Sequence, residues 1–135
     1  MKRDKSGSPL EPTKSELEIL QVLWEHGPST VRFVNDILNE KKREVNYTST
    51  LKLMQIMTEK GLLVRDESQM KHVYAPAQPE EKIKSLLLNR FVESLYNGSA
   101  ASLMVHLLGN KKPSQKELDA IRDLLNKMDK QNGKV

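Results

Sequence analysis

Four polar side chains recur at helical spacing in the middle of the chain. They share one side when residues 45–61 are wound at about 100° per residue, and they are Thr48, Lys52, Gln55 and Glu59. Hydroxyl, ammonium and amide groups of this kind form hydrogen bonds with base edges and with phosphate oxygens. The chemistry indicated is recognition rather than catalysis, and the segment is a candidate for a helix that binds DNA.

The same segment carries the signals that a helix needs. Side chains able to pack inward lie on its other side, namely Thr50, Leu53, Met54 and Met57. Asn46 or Thr48 can cap the first turn, and Gly61 stands where a helix most readily ends in the left-handed conformation. Because most helices with a polar outer face simply face solvent, the neighbouring elements must decide what this face does.

Two shorter helices are predicted before this segment. The first opens with the capping-box spacing of Thr13 and Glu16, carries an apolar stripe that includes Trp24, and stops at residues 27–28. An aromatic on such a stripe is expected to pack in the core. Ser29 or Thr30 caps the second helix, whose inward residues are Val31, Val34, Ile37 and Leu38. Residues 39–44 form a charged connector to the candidate DNA-binding helix.

A β-hairpin is predicted after the three helices. Residues 62–67 and 71–75 have strand character, and residues 68–70 form the turn between them. An isolated hairpin is marginal in water and must pack on the helices. Three helices followed by a hairpin form a winged helix, in which the third helix enters the major groove and the hairpin, the wing, follows the backbone. Arg65, Lys71 and His72 of the wing are candidates for phosphate contacts.

The chain after residue 76 is predicted to be helical throughout. Pro76 and Pro79 mark a break, a long helix then runs to residues 97–98, a short one covers residues 100–108, and residues 109–113 turn into a last helix. The predicted organisation is a flexible tail at 1–12, a winged helix-turn-helix DNA-binding domain at 13–77 and a helical dimerisation domain at 78–135. The fold class is mainly α with a small β-hairpin wing.

These last helices expose more leucine than three short helices can bury among themselves, and a small helical unit rarely has enough core alone. A second copy of the chain is the expected partner; the alternative is that the helices fold back on the N-terminal unit as one monomeric core. The predicted dimerisation residues are Ile83, Leu87, Phe91, Leu95, Leu103, Leu107, Leu118, Ile121, Leu124, Leu125 and Met128.

Charge and composition exclude several function classes. The net charge is +4, but residues 1–76 carry 12 basic and 11 acidic side chains, so DNA binding requires a local basic face. The absence of cysteine excludes disulfides, thiolate metal sites and thiol catalysis. The three histidines, His26, His72 and His106, lie in separate elements, Ser102 has no adjacent base, and no glycine-rich phosphate loop occurs. We therefore expect no enzyme activity, no metal and no cofactor.

The N-terminus and the hydropathy pattern bear on location. The first nine residues are polar with no apolar stretch behind them, so they are not a secretory signal. No run approaches the roughly 20 apolar residues of a membrane span. The expected location is the cytoplasm.

Several of these segments resemble one known family. Residues 13–24 resemble the opening of the penicillinase-repressor (BlaI/MecI) family, ending in Trp24. Residues 47–52, leading to Glu59-Lys60-Gly61-Leu62-Leu63, resemble its recognition helix and the start of its wing, and Tyr74 closes the second wing strand as an aromatic commonly does there. The similarity covers residues 13–76 well and 79–128 loosely.

The resemblance implies a homodimeric transcriptional repressor with an N-terminal winged helix and a C-terminal dimerisation arm. Such proteins bind pseudo-palindromic operators, often with TACA/TGTA half-sites. Many control antibiotic-resistance genes and are inactivated when a membrane sensor protease triggers their cleavage in the arm. Carried onto this chain, the DNA-binding positions on the helix are Thr48, Ser49, Leu51, Lys52 and Gln55. Lys52 and Thr48 would contact phosphate or guanine, Gln55 adenine, and Leu51 a thymine methyl.

The chain departs from the family pattern at two places. The family is cut between an Asn and a Phe that follow a Ser-Leu pair, whereas here Ser102-Leu103 leads to His106-Leu107 as the matching pair. The copper-responsive branch binds metal through C-terminal cysteines, which this chain lacks. Two other interpretations stay open, a winged-helix module that binds proteins and a regulator that responds to a small ligand in the arm.

Overall fold

Six helices and one β-hairpin follow one another in a computed structural model that describes residues 11–41, 44–68 and 70–132. In chain order they are α1 (Lys14–His26), α2 (Val31–Lys41), α3 (Tyr47–Glu59), β1 (Leu63–Asp66), β2 (Val73–Pro76), α4 (Glu80–Tyr96), α5 (Ala100–Asn110) and α6 (Gln115–Asn132). The predicted class, mainly α with a small β-hairpin wing, is confirmed. The predicted tail at 1–12 lies, as far as residue 10, outside the described residues.

Contacts divide the chain into two compact units, Met1–Leu88 and Asn89–Val135. The division falls inside α4, after the predicted boundary at residues 77–78. The first half of α4 therefore contributes to the first unit, where Ile83 is 1% exposed. That residues 13–77 and 78–135 form separate domains stays a prediction.

Local capping signals begin the first two helices. The backbone N–H of Glu16 donates to the Thr13 hydroxyl at 3.2 Å, and the Glu16 carboxylate accepts from the Thr13 N–H at 2.9 Å. This is the predicted capping box, which satisfies two N–H groups that the first turn of a helix leaves unpaired. Of the two candidates for α2, it is Thr30 that accepts from a first-turn N–H, that of Phe33 at 3.2 Å.

One hydrophobic core lies within the first unit. It is built by α1, α2, α3, both strands and α4. Its most buried members are Ile19, Leu20, Val22, Leu23, Val34, Met54, Met57, Leu62, Leu63, Tyr74 and Ile83. Trp24 is half-buried and packs against this core, as predicted from its stripe. Truncating a fully buried leucine or methionine in such a core typically costs about 2–5 kcal/mol, so these contacts hold the unit together.

The hairpin is anchored to the helices through an isolated β-bridge from the loop between α1 and α2. β1 and β2 are antiparallel, with Arg65 opposite Tyr74. Ser29, between α1 and α2, pairs with Tyr74 by two backbone hydrogen bonds of 3.0 and 2.8 Å. Tyr74 is itself buried in the core, so the hairpin gains the tertiary support that an isolated pair of strands lacks.

The strands are shorter than the sequence predicts. The sequence predicts Leu62 in the first strand. In the structure its N–H donates to the Met57 carbonyl at 2.9 Å, so Leu62 belongs to the turn that ends α3. Gly61, with a φ of +87°, makes the left-handed turn at this point, as predicted. The second strand begins only at Val73. Gln69, in the middle of the predicted turn, lies outside the described residues.

The second unit consists of the end of α4 together with α5 and α6. Asn97 and Gly98, with φ of +50° and +81°, end α4 as predicted, and Ser99 caps α5. The turn predicted at residues 109–113 starts later, because α5 continues through Gly109 to Asn110. Ser114 and Glu117 exchange hydrogen bonds of 3.1 Å that open α6. In the described part of the chain, α5 and α6 contain no buried residue.

Candidate nucleic-acid interface

The helix α3 presents a polar face because its apolar side is held in the core. Asn46 caps it, accepting from the Ser49 N–H at 2.8 Å, so of the two predicted caps Asn46 fills the position. Thr50, Met54 and Met57 are buried, and Leu53 is half-buried against the core. This arrangement prevents α3 from rotating about its axis without exposing its methionines.

The predicted contact residues of α3 lie where the periodicity places them. Thr48, Lys52 and Gln55 are exposed on the outer side of the helix. Leu51 is half-buried, with part of its side chain against the core. Three polar side chains and the accessible edge of one apolar side chain are therefore available on this side of α3, the combination that direct reading of base edges uses.

A hydrogen-bond network centred on the buried Asn35 sets the start of α3. The Asn35 side-chain amide of α2 donates to the Thr50 hydroxyl at 2.8 Å and to the Val45 carbonyl at 3.0 Å. The Val45 N–H in turn donates to the Asn39 side-chain oxygen at 2.6 Å. Asn35 and Thr50 are buried, so the bond between them forms away from competing water. Together with the more exposed bonds of Val45, it fixes the turn between α2 and α3.

Ser49 does not share the outer face with the other predicted contacts. It lines a separate groove of about 310 Å³ between α1 and the start of α3, together with Ser15, Glu18 and Glu44. The two carboxylates in this groove would repel a DNA phosphate. Ser49 therefore lies in an acidic groove, whereas Thr48 and Lys52 lie on the outer face of α3, although all three are close in sequence.

The wing places one predicted phosphate-contact residue in an ion pair and leaves the two others exposed. Arg65 donates to the Glu67 carboxylate from Nε at 2.6 Å, and a second ion-pair contact joins the same residues. Its hydrogen bond to Tyr74, followed by that to Glu67, raises the pKa of the Arg65 guanidinium above its usual value. Lys71 and His72 are exposed at the end of the turn. Of the three, Lys71 is the cation best placed to meet a phosphate.

A surface groove joins the wing to the first turns of α2 and α3. Its volume is about 410 Å³, and its lining residues are Thr30, Val31, Arg32, Tyr47, Leu51, Met70, Lys71, His72 and Tyr74. Three residues predicted from the sequence meet here: Leu51, Lys71 and His72. The sequence does not single out Arg32 and Tyr47 as contact residues, because they belong to separate segments and only folding brings them together. The one sequence feature that could have indicated this contact is Arg32 itself, a cation in the first turn of the predicted second helix.

The residues predicted to pair two copies of the chain fall into three groups. Ile83 is buried in the protomer's own core and Leu87 packs against it, so both already have partners within the first unit. Leu103, Leu118 and Ile121 are half-buried. The others are exposed, and they are Phe91, Leu95, Leu107, Leu124, Leu125 and Met128.

The remaining candidates for chemistry are dispersed. In the described part of the chain, no three His, Asp or Glu side chains are grouped so as to hold a metal ion. His106, half of the predicted cleavage pair with Leu107, lies within α5 and shares a 2.8 Å hydrogen bond with the Tyr96 hydroxyl. Across residues 11–41, 44–68 and 70–132, no helix combines the length and apolar character of a membrane span.

Comparison with known proteins finds relatives that match most of the chain. The penicillinase repressor of Staphylococcus aureus is 27% identical over 123 residues, which cover 90% of this chain and 95% of that protein. The transcriptional regulator BlaI of Mycobacterium tuberculosis is 26% identical over 120 residues, with 87% and 85% covered. The penicillinase repressor of Bacillus licheniformis is 26% identical over 117 residues, with 82% and 86% covered.

A solved structure supports the fold, and a family profile covers most of the chain. The crystal structure of the transcriptional regulator Tm0710 from Thermotoga maritima superposes with a TM-score of 0.52 at 18% identity, covering 91% of this chain and 80% of that one. The profile of the penicillinase repressor family matches residues 12–127. With a winged helix whose third helix presents a polar face, the chain belongs to the penicillinase-repressor family, a family of transcriptional repressors and not of enzymes.

Proposed function

We propose that the chain is a homodimeric repressor that inserts α3 into the major groove of a pseudo-palindromic DNA operator. The observation that carries the proposal is the division of α3 into two sides. Thr48, Lys52 and Gln55 are exposed, while Met54 and Met57 are locked into the core on the other side. A rigid scaffold that holds short polar side chains at fixed positions is what base recognition requires.

The wing supports the same orientation on DNA. Lys71 and His72 line the groove that also contains Leu51 of α3, so one surface combines base-reading and backbone-binding groups. In a winged helix the wing contacts the sugar-phosphate backbone while the third helix occupies the groove. Phosphate contacts of this kind make binding fall steeply with salt concentration. This local cationic surface offsets the near-neutral charge of residues 1–76.

The proposed dimer is supported by the apolar side chains of the second unit. Phe91, Leu95, Leu124, Leu125 and Met128 are each about half exposed, and the described residues of α5 and α6 include none that is buried. Exposed apolar side chains concentrated in one small unit are typical of an interaction site. A second copy would bury it symmetrically, as in most homo-oligomers, and would present two α3 helices to one duplex.

We further propose that repression controls resistance genes and is relieved by proteolysis, as the family resemblance implies. The relatives named as penicillinase repressors support the first part. The pair His106–Leu107 lies inside α5, so a protease can cut there only after local unwinding of that helix. A membrane sensor protease system is the expected source of the signal. We propose that the protein, as a repressor that binds genomic DNA, acts in the cytoplasm.

Selection of bound sequences from a random DNA pool tests the function directly. We expect enrichment of a palindrome whose half-sites are about 10–10.5 base pairs apart, centre to centre, or a multiple of that spacing. Half-sites of the TACA/TGTA type are the expected outcome. Sedimentation equilibrium of the same protein should give a stable homodimer. A pool that shows no enrichment, together with a monomeric protein, would reject the proposal.

One alternative retains support from the charge distribution. Because the first unit is nearly neutral, it could serve as a protein-interaction module with the second unit docking a different chain. That function predicts a monomer that associates only with a foreign protein, and it predicts no enrichment from the random DNA pool. The two experiments above therefore distinguish the alternatives.

A further inference from the structure

Arg32 of α2 stacks on Tyr47 of α3 at the edge of the candidate interface. The guanidinium carbon of Arg32 lies 4.4 Å from the centre of the Tyr47 ring. Both residues are exposed, and they come from the first turns of two successive helices. A cation–π contact at this distance holds the guanidinium over the ring face and leaves its N–H groups at the edges.

The donors of Arg32 are not committed to a carboxylate. Within the described part of the chain, Arg32 has no ion pair and no side-chain hydrogen bond, and the Tyr47 ring is its only assigned interaction. Arg65 of the wing is the contrasting case, because its donors already serve Glu67. An oriented guanidinium with free donors is suited to an oxyanion with more than one acceptor, such as a phosphate.

The stacked pair shares its groove with the cation of the wing. Arg32 and Tyr47 line the same groove as Lys71, His72 and the Thr30 side chain. Cationic groups thus occur on both the helical and the wing parts of its lining. A groove of about 410 Å³ with this lining matches a segment of sugar-phosphate backbone better than a folded protein surface.

We propose that Arg32, held by Tyr47, clamps one DNA phosphate next to the half-site that α3 occupies. The proposal rests on the proposed operator binding and adds a contact from α2 that the base-reading residues of α3 do not supply. The role of Tyr47 is to position the guanidinium. The clamp contributes affinity without sequence preference, since a phosphate is the same at every base pair.

The test compares salt dependence in matched variants of the full chain. Arg32→Ala should weaken binding to the selected operator about tenfold and weaken binding to unrelated DNA by the same factor. The slope of log affinity against log salt should fall by about one per protomer. Lys14→Ala removes one exposed cation from α1 in the same unit and should leave affinity and slope unchanged.

Variants of the tyrosine separate positioning from charge. Tyr47→Phe keeps the ring face and should behave as the wild type, whereas Tyr47→Leu should reproduce about half of the logarithmic loss of Arg32→Ala. Replacing single phosphates by methylphosphonates locates the contact: one neutral substitution next to the half-site should weaken the wild type but not Arg32→Ala. Because Arg32 is exposed, the thermal midpoint of the variant should match that of the wild type.

The outcomes distinguish this inference from the function on which it rests. If the wild type binds no DNA sequence, the operator proposal and the clamp fall together. If the wild type selects an operator while Arg32→Ala retains its affinity and its salt slope, only the clamp is wrong. Weakening by Arg32→Ala on the operator alone, with unrelated DNA unaffected, would also contradict a phosphate contact and would indicate a base contact instead.

Discussion

The Nζ atom of Lys60 lies 2.7 Å from Oε1 of Glu16, which joins the end of α3 to the start of α1. The Glu16 side chain is only 3% exposed and that of Lys60 is 30% exposed. The same carboxylate oxygen accepts from the Thr13 N–H, so it serves the capping box and the ion pair together. The C-terminal end of α3, the helix proposed to bind DNA, is therefore held by the first turn of α1.

Loss of this carboxylate should cost stability. Glu16→Ala leaves the Lys60 ammonium and the Thr13 N–H without their acceptor, and we expect the free energy of unfolding to fall by about 2 kcal/mol. The figure is below that for a fully buried pair because Lys60 keeps access to water. Urea denaturation measures the change. Glu25→Ala, which removes an exposed pair with Lys41, is the control and should change stability by less than about 0.5 kcal/mol.

The amide of Asn35 should matter to both stability and DNA binding. Asn35→Ala removes the donor to Thr50 and Val45, and an unpaired buried acceptor costs about 1–3 kcal/mol. Because the turn before α3 is then less constrained, operator affinity should fall even at temperatures where the variant is fully folded. Asp36→Ala, one residue along on an exposed site, should change neither quantity. Unchanged affinity in a folded Asn35→Ala protein would show that this network does not orient α3.

The polar residues of α3 should differ in what they contribute to binding. Gln55→Ala should lose about 1–3 kcal/mol of discrimination at one base pair of the operator. Lys52→Ala should weaken specific binding, with a smaller salt slope if it contacts phosphate. Ser49→Ala, in the acidic groove on the other side of α3, is expected to have the smallest effect. An electrophoretic assay in which Lys52→Ala and Gln55→Ala bind like the wild type would reject this face.

A charge in the apolar stripe of α6 should separate the protomers. Leu124 is 57% exposed in the single chain, and Leu124→Asp would place an unpaired carboxylate in the proposed interface. Sedimentation equilibrium should then show monomers, and operator affinity should drop sharply, because two linked α3 helices gain effective concentration that one lacks. Asn126→Asp adds the same charge at an exposed position on the other side of α6 and should remain dimeric. Full affinity in a monomeric Leu124→Asp protein would contradict the coupling.

The stability of the wing should depend on pH through Asp66, at the end of β1. Its carboxylate accepts from the Ser68 N–H at 2.9 Å, and the backbone and side chain of Ser68 lower the pKa of Asp66. Since the pKa is lower in the folded state, this stabilisation is complete above the unfolded value of roughly 4 and is lost as the pH falls through the folded value. Ser68→Ala removes the hydroxyl contribution. An NMR titration should show a higher Asp66 pKa in that variant; an identical titration curve would exclude the contribution.

Local features of the fold were predictable because they depend on residues close in sequence. The capping boxes opening α1 and α6, the end of α3 at Gly61 and the two sides of α3 all depend on spacings within one or two helical turns. The order of three helices and a hairpin predicted the winged-helix arrangement, which the family resemblance also implied and which the structure and the comparisons confirm. Strand limits were less accurate, because hydrogen bonds outside the hairpin decide where Leu62 belongs.

By itself, the sequence determined the helices, the candidates for their caps and which residues α3 turns outward, since helical periodicity and capping act over a few residues. Only the tertiary structure decided which distant residues meet. Folding joined Glu16 to Lys60 and Arg32 to Tyr47, and it placed Ile83 in the core of the first unit although its stripe predicted an intermolecular role. These pairings depend on how whole elements pack, so no local pattern contains them.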